Sequence, residues 1–335
     1  MKLKKIMLLV ILVAIILTGV IIGIVASKKT KTTNTEKIKV TASNFASYDF
    51  LRAIIGNNDN VELTFLLGPG KDAHSYEPTA QDLITIQNSD LFVYVGGEME
   101  KWADKVLDSL ETGKTEIICI ADFVDKMEEK EVDGAEEHEH EDEEHHEEGE
   151  EHEEHEHEEG AFDEHIWTSP ENAIKMVNAL EKEMEKIDSK NSNTYKENAN
   201  KYIAQIKDVD SKIQDVVDHK VRDRLVFADK MPMQYFIDYY KLQVTAAFDG
   251  CSTETEPSAK TIAYIENKVK EEKIPVILYI ELNTGAVAQT IANETGAKAM
   301  QIQTLHNVSK TDFDNGETWV SLMERNIDVL KKALQ

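Results

Sequence analysis

Short apolar runs rich in β-branched residues alternate with helical patterns twice along the 335-residue chain, and a long helical stretch separates the two series. Alternation of this kind is typical of parallel sheets covered by helices on both faces. The sequence therefore predicts an α/β protein with two lobes, each a parallel sheet flanked by helices. The predicted strands are 38–42, 61–67, 91–95, 116–120, 225–228, 242–248, 275–281 and 298–303.

The stretch between the two series predicts two consecutive helices. Ser169 and Pro170 are typical of a helix start, with the serine as cap and the proline in the first turn. The second helix, from about Ser192 to His219, carries an apolar stripe at helical spacing and would span about 42 Å. The sequence thus predicts one long rigid helix that bridges the lobes. The predicted domains are 37–170 for the first lobe, 171–221 for the helical linker and 222–335 for the second lobe.

The amino-terminal 36 residues form a separate region. Lysines precede the apolar segment 6–26, which is long enough to cross a bilayer as a helix, so the rest of the chain is expected outside the cytoplasm. The segment is either an uncleaved anchor or a cleaved signal peptide with Ala26-Ser27 near the cut site. No cysteine follows it, which excludes lipid attachment there. Residues 28–36 are typical of a polar tether, so we expect an extracytoplasmic protein tethered to the plasma membrane or exported across it.

Glutamate and histidine dominate the segment 128–160. Residues 128–159 hold 20 acidic residues and one lysine, and so carry −19 of the chain's net charge of −27. This composition cannot bury apolar surface and predicts a disordered loop. Imidazoles and carboxylates bind first-row divalent ions, so we expect a low-affinity metal collector. No basic face is evident, which argues against a nucleic-acid partner.

Three of the four histidines outside this loop lie where a ligand is expected. His74 follows a predicted strand, at the end where parallel sheets bind ligands, and His165 lies just before the helix start at Ser169. His306 follows the last predicted strand and would face the cleft from the second lobe. The fourth, His219, ends the long helix, where a cation complements the helix dipole. The pattern predicts a metal site between the lobes, and neutral imidazoles with a carboxylate suit Zn²⁺ better than Mn²⁺.

Enzyme signatures are missing from the sequence. It contains no H-E-x-x-H, no Walker loop, no G-x-S-x-G and no dinucleotide fingerprint. We therefore expect a binding protein, with a zinc hydrolase as a minor alternative.

Several motifs together resemble the zinc- and manganese-binding cluster of solute-binding proteins, the extracytoplasmic receptors of ABC importers. The resemblance covers about 38–334 and implies two lobes bridged by one rigid helix, with His74 and His165 as first-lobe ligands of an ion held between the lobes. It implies a receptor that delivers Zn²⁺ to an ABC permease and its ATPase, with Mn²⁺ as an alternative cargo. We expect a monomer, and an adhesin or zinc buffer is a rival function. The matching motifs are Gly68-Pro69-Gly70 with His74-Ser75-Tyr76-Glu77-Pro78-Thr79, Asp163-Glu164-His165-Ile166-Trp167-Thr168-Ser169-Pro170, Tyr235-Phe236, and Glu294-Thr295-Gly296.

The second lobe departs from the pattern that the resemblance implies. Lys230 occupies the position where a histidine ligand is expected, and Asp229 is the nearest side chain that could replace it. The usual final aspartate is also missing. His306, Asp229, Glu281 at the end of a predicted strand, and Cys251 in an apparent insertion are therefore all candidates for the second-lobe ligands.

Overall fold

Two four-stranded parallel sheets with the same topology form the two lobes. The computed structural model describes residues 37–110, 113–135, 162–252 and 256–335. The strand order is β2-β1-β3-β4 in the first sheet and β6-β5-β7-β8 in the second, and every pairing is parallel. The predicted fold class is thereby confirmed. The strands are β1 Ile38–Ala42, β2 Val61–Phe65, β3 Leu91–Tyr94, β4 Glu116–Cys119, β5 Arg224–Lys230, β6 Gln243–Phe248, β7 Val276–Ile280 and β8 Lys298–Ile302.

Helices connect the strands and join the lobes. Their ends follow local capping signals: the Ser169 side chain accepts a hydrogen bond from the backbone of Asn172, and Pro170 takes the first helical position. Thr79 and Asp82 form a capping box at the start of another helix. The α-helices are α1 Phe45–Ile55, α2 Ala80–Gln87, α3 Trp102–Leu107, α4 Pro170–Ile187, α5 Ser192–Asp218, α6 Gln234–Tyr239, α7 Ala259–Glu272, α8 Ala286–Thr295, α9 Lys310–Asp314 and α10 Trp319–Leu334.

The long helix α5 contains 27 residues, which corresponds to about 40 Å at the usual rise per residue. Its buried stripe packs against α1 and α4 on the first-lobe side and against α10 on the second-lobe side. The predicted bridge between the lobes is therefore present. The buried residues of the stripe are Tyr195, Ala199, Tyr202, Ile203, Ile206, Val209, Ile213, Val216 and Val217.

One apolar core runs through both lobes and the long helix. It includes Val40 of β1, Ile206 of α5 and Leu278 of β7, all buried. A polar contact ties the same three layers together. Asp49 of α1 accepts hydrogen bonds from the Tyr202 hydroxyl of α5 and, at 2.7 Å, from the Trp319 backbone N–H of α10. Residues 38–335 accordingly form one compact unit.

Residues 127–135, which we call the strap, cross from the first lobe to the second. The Met127 backbone N–H donates to the Tyr235 hydroxyl at 2.9 Å, and Asp133 forms a parallel bridge with Thr245 of β6. Glu128 also pairs with Phe162 in an antiparallel bridge. The prediction that all of 128–160 is disordered is therefore wrong for 128–135, because this part packs against the second lobe.

Other predicted features lie outside the described residues or were missed. The apolar segment 6–26 and the histidine-rich part of the loop, 136–161, belong to the portions that the structure does not describe. In the part of the chain that it does describe, no helix combines the length and the apolar character needed to span a membrane. The short helices α6 and α9 were not predicted from the sequence.

Candidate metal centre

The imidazoles of His74, His165 and His306 meet between the lobes. One ligand atom from each lies within 4.8 Å of the other two, and this is the one such group of histidine, cysteine or acidic side chains within 37–110, 113–135, 162–252 and 256–335. The ring centroids of His74 and His306 lie 4.7 Å apart, and each lies 5.3–5.5 Å from that of His165. The structure thus brings together two histidines from the first lobe and one from the second.

The Nε2 atoms of these three histidines are buried and have no hydrogen-bond partner among the described residues. A buried polar atom left unpaired typically costs about 1–3 kcal/mol, and most such atoms in native structures are satisfied. Three unpaired acceptors at one point are therefore unfavourable unless a shared partner is present. A cation that accepts nitrogen ligands supplies such a partner for all three.

A tight turn after β2 presents His74. Gly68 and Gly70 adopt positive φ angles of 72° and 77°, which residues with a Cβ rarely adopt. The second lobe holds this loop, because the Asn307 side-chain amide donates to the carbonyls of Gly68 and Lys71 at 3.0 and 2.6 Å. The position of His74 therefore depends on contacts from both lobes.

Asp163 fixes the ring of His165. Its Oδ1 lies 3.1 Å from His165 Nδ1 and accepts the His165 backbone N–H at 2.8 Å. An acceptor at Nδ1 favours the tautomer with hydrogen on that nitrogen and leaves Nε2 free as a ligand. His165 is therefore oriented for coordination before any ion arrives.

Thr304 and Glu281 hold the turn that carries His306. Glu281 accepts hydrogen bonds from both the backbone N–H and the hydroxyl of Thr304, each at 2.8 Å. Leu305, between Thr304 and His306, has a φ of 61°, a conformation that costs energy for a residue with a branched side chain. The carboxylate therefore helps to keep a strained turn in the shape that points His306 into the cleft.

Burial and neighbouring charges together set the protonation of the three rings. Burial lowers the pKa of His74 to about 3 and that of His306 well below the usual value, with the neighbouring His165 charge acting in the same direction. Burial also lowers the pKa of His165, but the Asp163 carboxylate outweighs it, so the pKa of His165 is raised. Two rings are therefore neutral and ready to bind at neutral pH, and the third is the one at which a proton competes with a metal ion.

The carboxylates of Asp229 and Glu281 already have backbone partners. Asp229 accepts the N–H groups of Lys230 and Ile280 at 2.9 and 3.3 Å, and Glu281 binds Thr304 as described. Burial raises the pKa of both carboxyl groups. Within the described part of the chain, neither belongs to the group of ligand atoms within 4.8 Å of one another. Their predicted role as ligands stays a prediction.

Cys251 lies close to the centre without joining this group. Its sulfur is 3.8 Å from an oxygen of Glu164, and burial followed by the charges of Glu129 and Glu164 raises the pKa of the thiol far above the usual value. A thiol held neutral is a weak metal ligand. Both cysteines, Cys119 and Cys251, are free.

Each of the three histidines follows, by two positions, a side chain that accepts its backbone N–H. This repeated local turn was not recognised in the sequence, although both first-lobe candidates, His74 and His165, are the last residue of an Asp-x-His motif. A short polar side chain that binds the backbone two residues later stabilises a turn. The three pairs are Asp72 with His74 at 2.9 Å, Asp163 with His165 at 2.8 Å, and Thr304 with His306 at 3.4 Å.

Known zinc-binding proteins resemble this chain over most of its length. The family model for ZnuA, the periplasmic component A of a zinc-uptake complex, matches residues 40–333. The chain is 33% identical over 300 residues to the high-affinity zinc uptake system protein ZnuA of Bacillus subtilis, covering 89% of this chain and 88% of that protein. It is 31% identical over 303 residues to the zinc-binding lipoprotein AdcA of Streptococcus pneumoniae, again covering 89% of this chain, but spans only 56% of that relative.

A solved structure gives the same result for the fold. The crystal structure of the Zn(II)-bound ZnuA-like domain of Streptococcus pneumoniae AdcA matches with a TM-score of 0.71 and 26% identity, covering 89% of this chain and 99% of that domain. The family match extends over both sheets, the long helix and all three clustered histidines. The chain therefore belongs to the ZnuA family, the periplasmic components of zinc-uptake complexes.

Proposed function

We propose that this chain is an extracytoplasmic zinc receptor that delivers Zn²⁺ to an ABC permease and its ATPase. The observation that carries the proposal is the convergence of three buried, unpartnered imidazole nitrogens from His74, His165 and His306. Nitrogen ligands favour Zn²⁺, whereas Mn²⁺ prefers a site richer in oxygen.

In this proposal the three histidines occupy three positions of a near-tetrahedral site. Asp229 and Glu281 are candidates for the fourth position, and either would have to give up hydrogen bonds that it makes in the present arrangement. Glu281 would also release the turn before His306. The histidines therefore supply most of the affinity, and the carboxylates contribute less.

A cavity between the lobes borders the site. Its volume is about 250 Å³. It is lined by His306, Asn307 and Glu281 from the second lobe and by residues 70–72 from the first. It connects the side of the site formed by His306 with the loop that carries His74. We propose this cavity as the route by which zinc enters and leaves.

The names of the relatives support zinc uptake outside the cytoplasm. The Bacillus subtilis protein is named for high-affinity zinc uptake, and the Streptococcus pneumoniae protein for zinc binding as a lipoprotein. The first name fits action as a transport receptor, and the second fits a protein held outside the cytoplasm, as the apolar segment 6–26 leads us to expect. The histidine-rich part of the loop, 136–161, fits a low-affinity collector, and we propose that the receptor acts as a monomer.

Zinc titration of the full-length chain in the presence of a tight competing chelator tests the proposal. The chelator leaves weak sites in the loop empty, so one tight zinc per chain is expected. His74→Ala and His306→Ala should each weaken this binding at least about 100-fold, since each removes a ligand. His219→Ala is the matched control, because His219 is exposed at the end of α5 and bonds to the Asp215 carbonyl.

Unchanged affinity in His74→Ala and His306→Ala would overturn the proposal. Titration with Mn²⁺ under the same conditions tests the alternative cargo. Tighter binding of Mn²⁺ than of Zn²⁺ would make the chain a manganese receptor.

A further inference from the structure

Lys230 ends β5 with its ammonium group beside the histidine site, and its side chain is only 7% exposed. A buried ammonium group is unfavourable unless nearby groups pair with it. Two partners do so. Lys230 Nζ lies 3.1 Å from Asp72 Oδ2 in the first lobe and donates at 3.1 Å to the carbonyl of Ser252 in the second.

The Asp72 carboxylate links this lysine to a first-lobe histidine. Its Oδ2 receives the Lys230 ammonium, and its Oδ1 accepts the backbone N–H of His74 at 2.9 Å. One carboxylate is therefore shared between the second lobe and the turn that orients His74. If the lysine contact were lost, the carboxylate would keep its bond to the backbone but lose its anchor on the other lobe.

The second partner lies next to another histidine of the site. Ser252 belongs to the turn after β6, and a Cβ placed on Gly250 in this turn would lie 3.6 Å from Cε1 of His165. Lys230 therefore contacts two segments, one that carries His74 and one that packs against the ring of His165.

We propose that Lys230 is a positioning residue of the metal site. Through Asp72 and Ser252 it holds the His74 turn and the turn beside His165 in fixed positions relative to each other across the cleft. The proposal rests on the proposed zinc site. Lys230 brings no ligand atom of its own and acts by reducing the freedom of the first-lobe loop before the ion binds. Preorganised ligands bind more tightly because less ordering remains to be done on binding.

A simple repulsion by the ammonium group predicts the opposite effect. A fixed positive charge beside a cation site would weaken the binding of Zn²⁺, so its removal would tighten binding. The neighbouring Asp72 carboxylate balances that charge, because the pair as a whole is neutral. In Lys230→Met the carboxylate is left without this partner, so a tighter site would indicate repulsion and a weaker site positioning.

The test measures zinc affinity of the full-length chain with a competing chelator. Lys230→Met removes the charge and keeps most of the volume, and it should weaken zinc binding about tenfold, as expected for a lost charge-assisted hydrogen bond. Lys230→Arg, which keeps a donor and the charge, should restore part of the loss. Lys268→Met is the matched control, since Lys268 also pairs with acidic side chains, but with Asp133 of the strap and Glu272 of α7 instead of with Asp72.

A double-mutant cycle separates positioning from a general loss of stability. Asp72→Asn keeps an acceptor for the His74 backbone but breaks the ion pair, so Lys230→Met should add little to it. Hydrogen exchange of residues 68–76 in the metal-free protein should become faster in Lys230→Met, whereas that of residues 38–42 should not change. Unchanged or tighter zinc binding in Lys230→Met, or full additivity of the two substitutions, would overturn the inference.

The same titrations distinguish this inference from the proposed function. If the unsubstituted chain binds one zinc tightly and His306→Ala abolishes it, the zinc site stands whatever Lys230→Met does. If the unsubstituted chain has no tight site, the proposed function fails and the role of Lys230 fails with it.

Discussion

The indole nitrogen of Trp167 donates a hydrogen bond to the backbone carbonyl of Thr304 at 3.0 Å. Trp167 lies two residues after His165, and Thr304 lies two residues before His306. Both residues are fully buried. One hydrogen bond therefore joins, across the two lobes, the backbone segments that present two of the three histidines.

Trp167→Phe should weaken both folding and zinc binding. The substitution keeps an aromatic ring but leaves the Thr304 carbonyl without this donor, which should cost about 1–3 kcal/mol in the free energy of unfolding. Zinc affinity should fall about tenfold, since the His306 turn loses a support. Chemical denaturation and chelator competition measure the two effects.

Trp102→Phe is the matched control for that experiment. The indole nitrogen of Trp102 is buried and has no hydrogen-bond partner among the described residues, so this substitution removes no hydrogen bond within that part of the chain. Equal losses in both variants would assign the effect to packing of the ring instead of to the bond with Thr304.

His306→Ala should reduce zinc affinity far more than Glu281→Gln. The Nε2 atom of His306 is unpartnered, whereas both oxygens of Glu281 already bind Thr304. We expect a loss of at least about 100-fold for His306→Ala and of at most about tenfold for Glu281→Gln, because glutamine keeps one acceptor for the turn. Zinc titration ranks the two. The reverse order would make Glu281 the main second-lobe ligand.

Zinc affinity should decrease at acid pH chiefly through His165. The low pKa values of His74 and His306 keep these rings neutral, while the Asp163 carboxylate outweighs burial and raises the pKa of His165. A proton on His165 Nε2 competes with zinc, so affinity should be constant above that pKa and fall about tenfold per pH unit below it. Competition titrations between pH 8 and pH 5 would follow this change.

Asp163→Asn tests the assignment to His165. It removes the charge that raises the pKa of His165, so the fall in affinity should begin at a lower pH. An onset that does not move would place the competing proton on another group.

Asp133 should anchor the strap to the second lobe. Its carboxylate accepts hydrogen bonds from the hydroxyls of Thr245 and Tyr264 at 2.8 and 2.5 Å and lies 3.4 Å from Lys268 Nζ. Asp133→Ala should lower the free energy of unfolding at pH 7 by about 1–2 kcal/mol. Asp125→Ala is the control, because it removes the same charge from an exposed ion pair with Lys175.

The contribution of Asp133 should also depend on pH. Burial raises the pKa of this carboxyl group, but the hydrogen bonds and Lys268 outweigh it, so the pKa lies below the ordinary value of 3.8. The stabilisation is then complete well above pH 3.8 and disappears as the pH falls through the lowered pKa. Denaturation at pH 7 and pH 3 should show a smaller difference between Asp133→Ala and the unsubstituted chain at the lower pH.

Replacing residues 136–161 with a short Gly/Ser linker should leave the tight zinc site intact and lower the total zinc bound at high concentration. The linker begins after Ala135 because the strap up to that residue packs against the second lobe. Metal content measured with and without a chelator separates the two classes of site. Loss of the tight zinc would assign a ligand to the replaced residues.

Local signals in the sequence were sufficient for the sheets and for the two helices between the lobes. The predicted strand 38–42 has the observed bounds of β1, and Ser169 with Pro170 marked the start of α4 correctly. His74 and His306 were expected to face each other because each follows a strand of its own lobe, at the carboxyl end where parallel sheets bind ligands.

Long-range pairing explains what the sequence did not reveal. Acidic composition predicted disorder for 128–135, yet Asp133 is paired with Arg224 and Lys268, about 90 and 135 positions further along the chain. In the sequence, Lys230 indicated only that an expected histidine ligand is missing. Its ion pair with Asp72 could not be predicted, because that contact depends on the approach of the two lobes. Contacts between residues far apart in sequence leave no periodic pattern to read.

The apolar core that continues through both sheets and the long helix limits how the protein can release an ion. Swinging the lobes apart as rigid bodies would expose part of that core to water, at a cost that grows with the apolar area uncovered. Handover to a permease is therefore cheaper through movement of the short turns around residues 68–76 and 304–307, while the sheets keep their places. A partner that pulls on one of these turns could empty the site without opening the molecule.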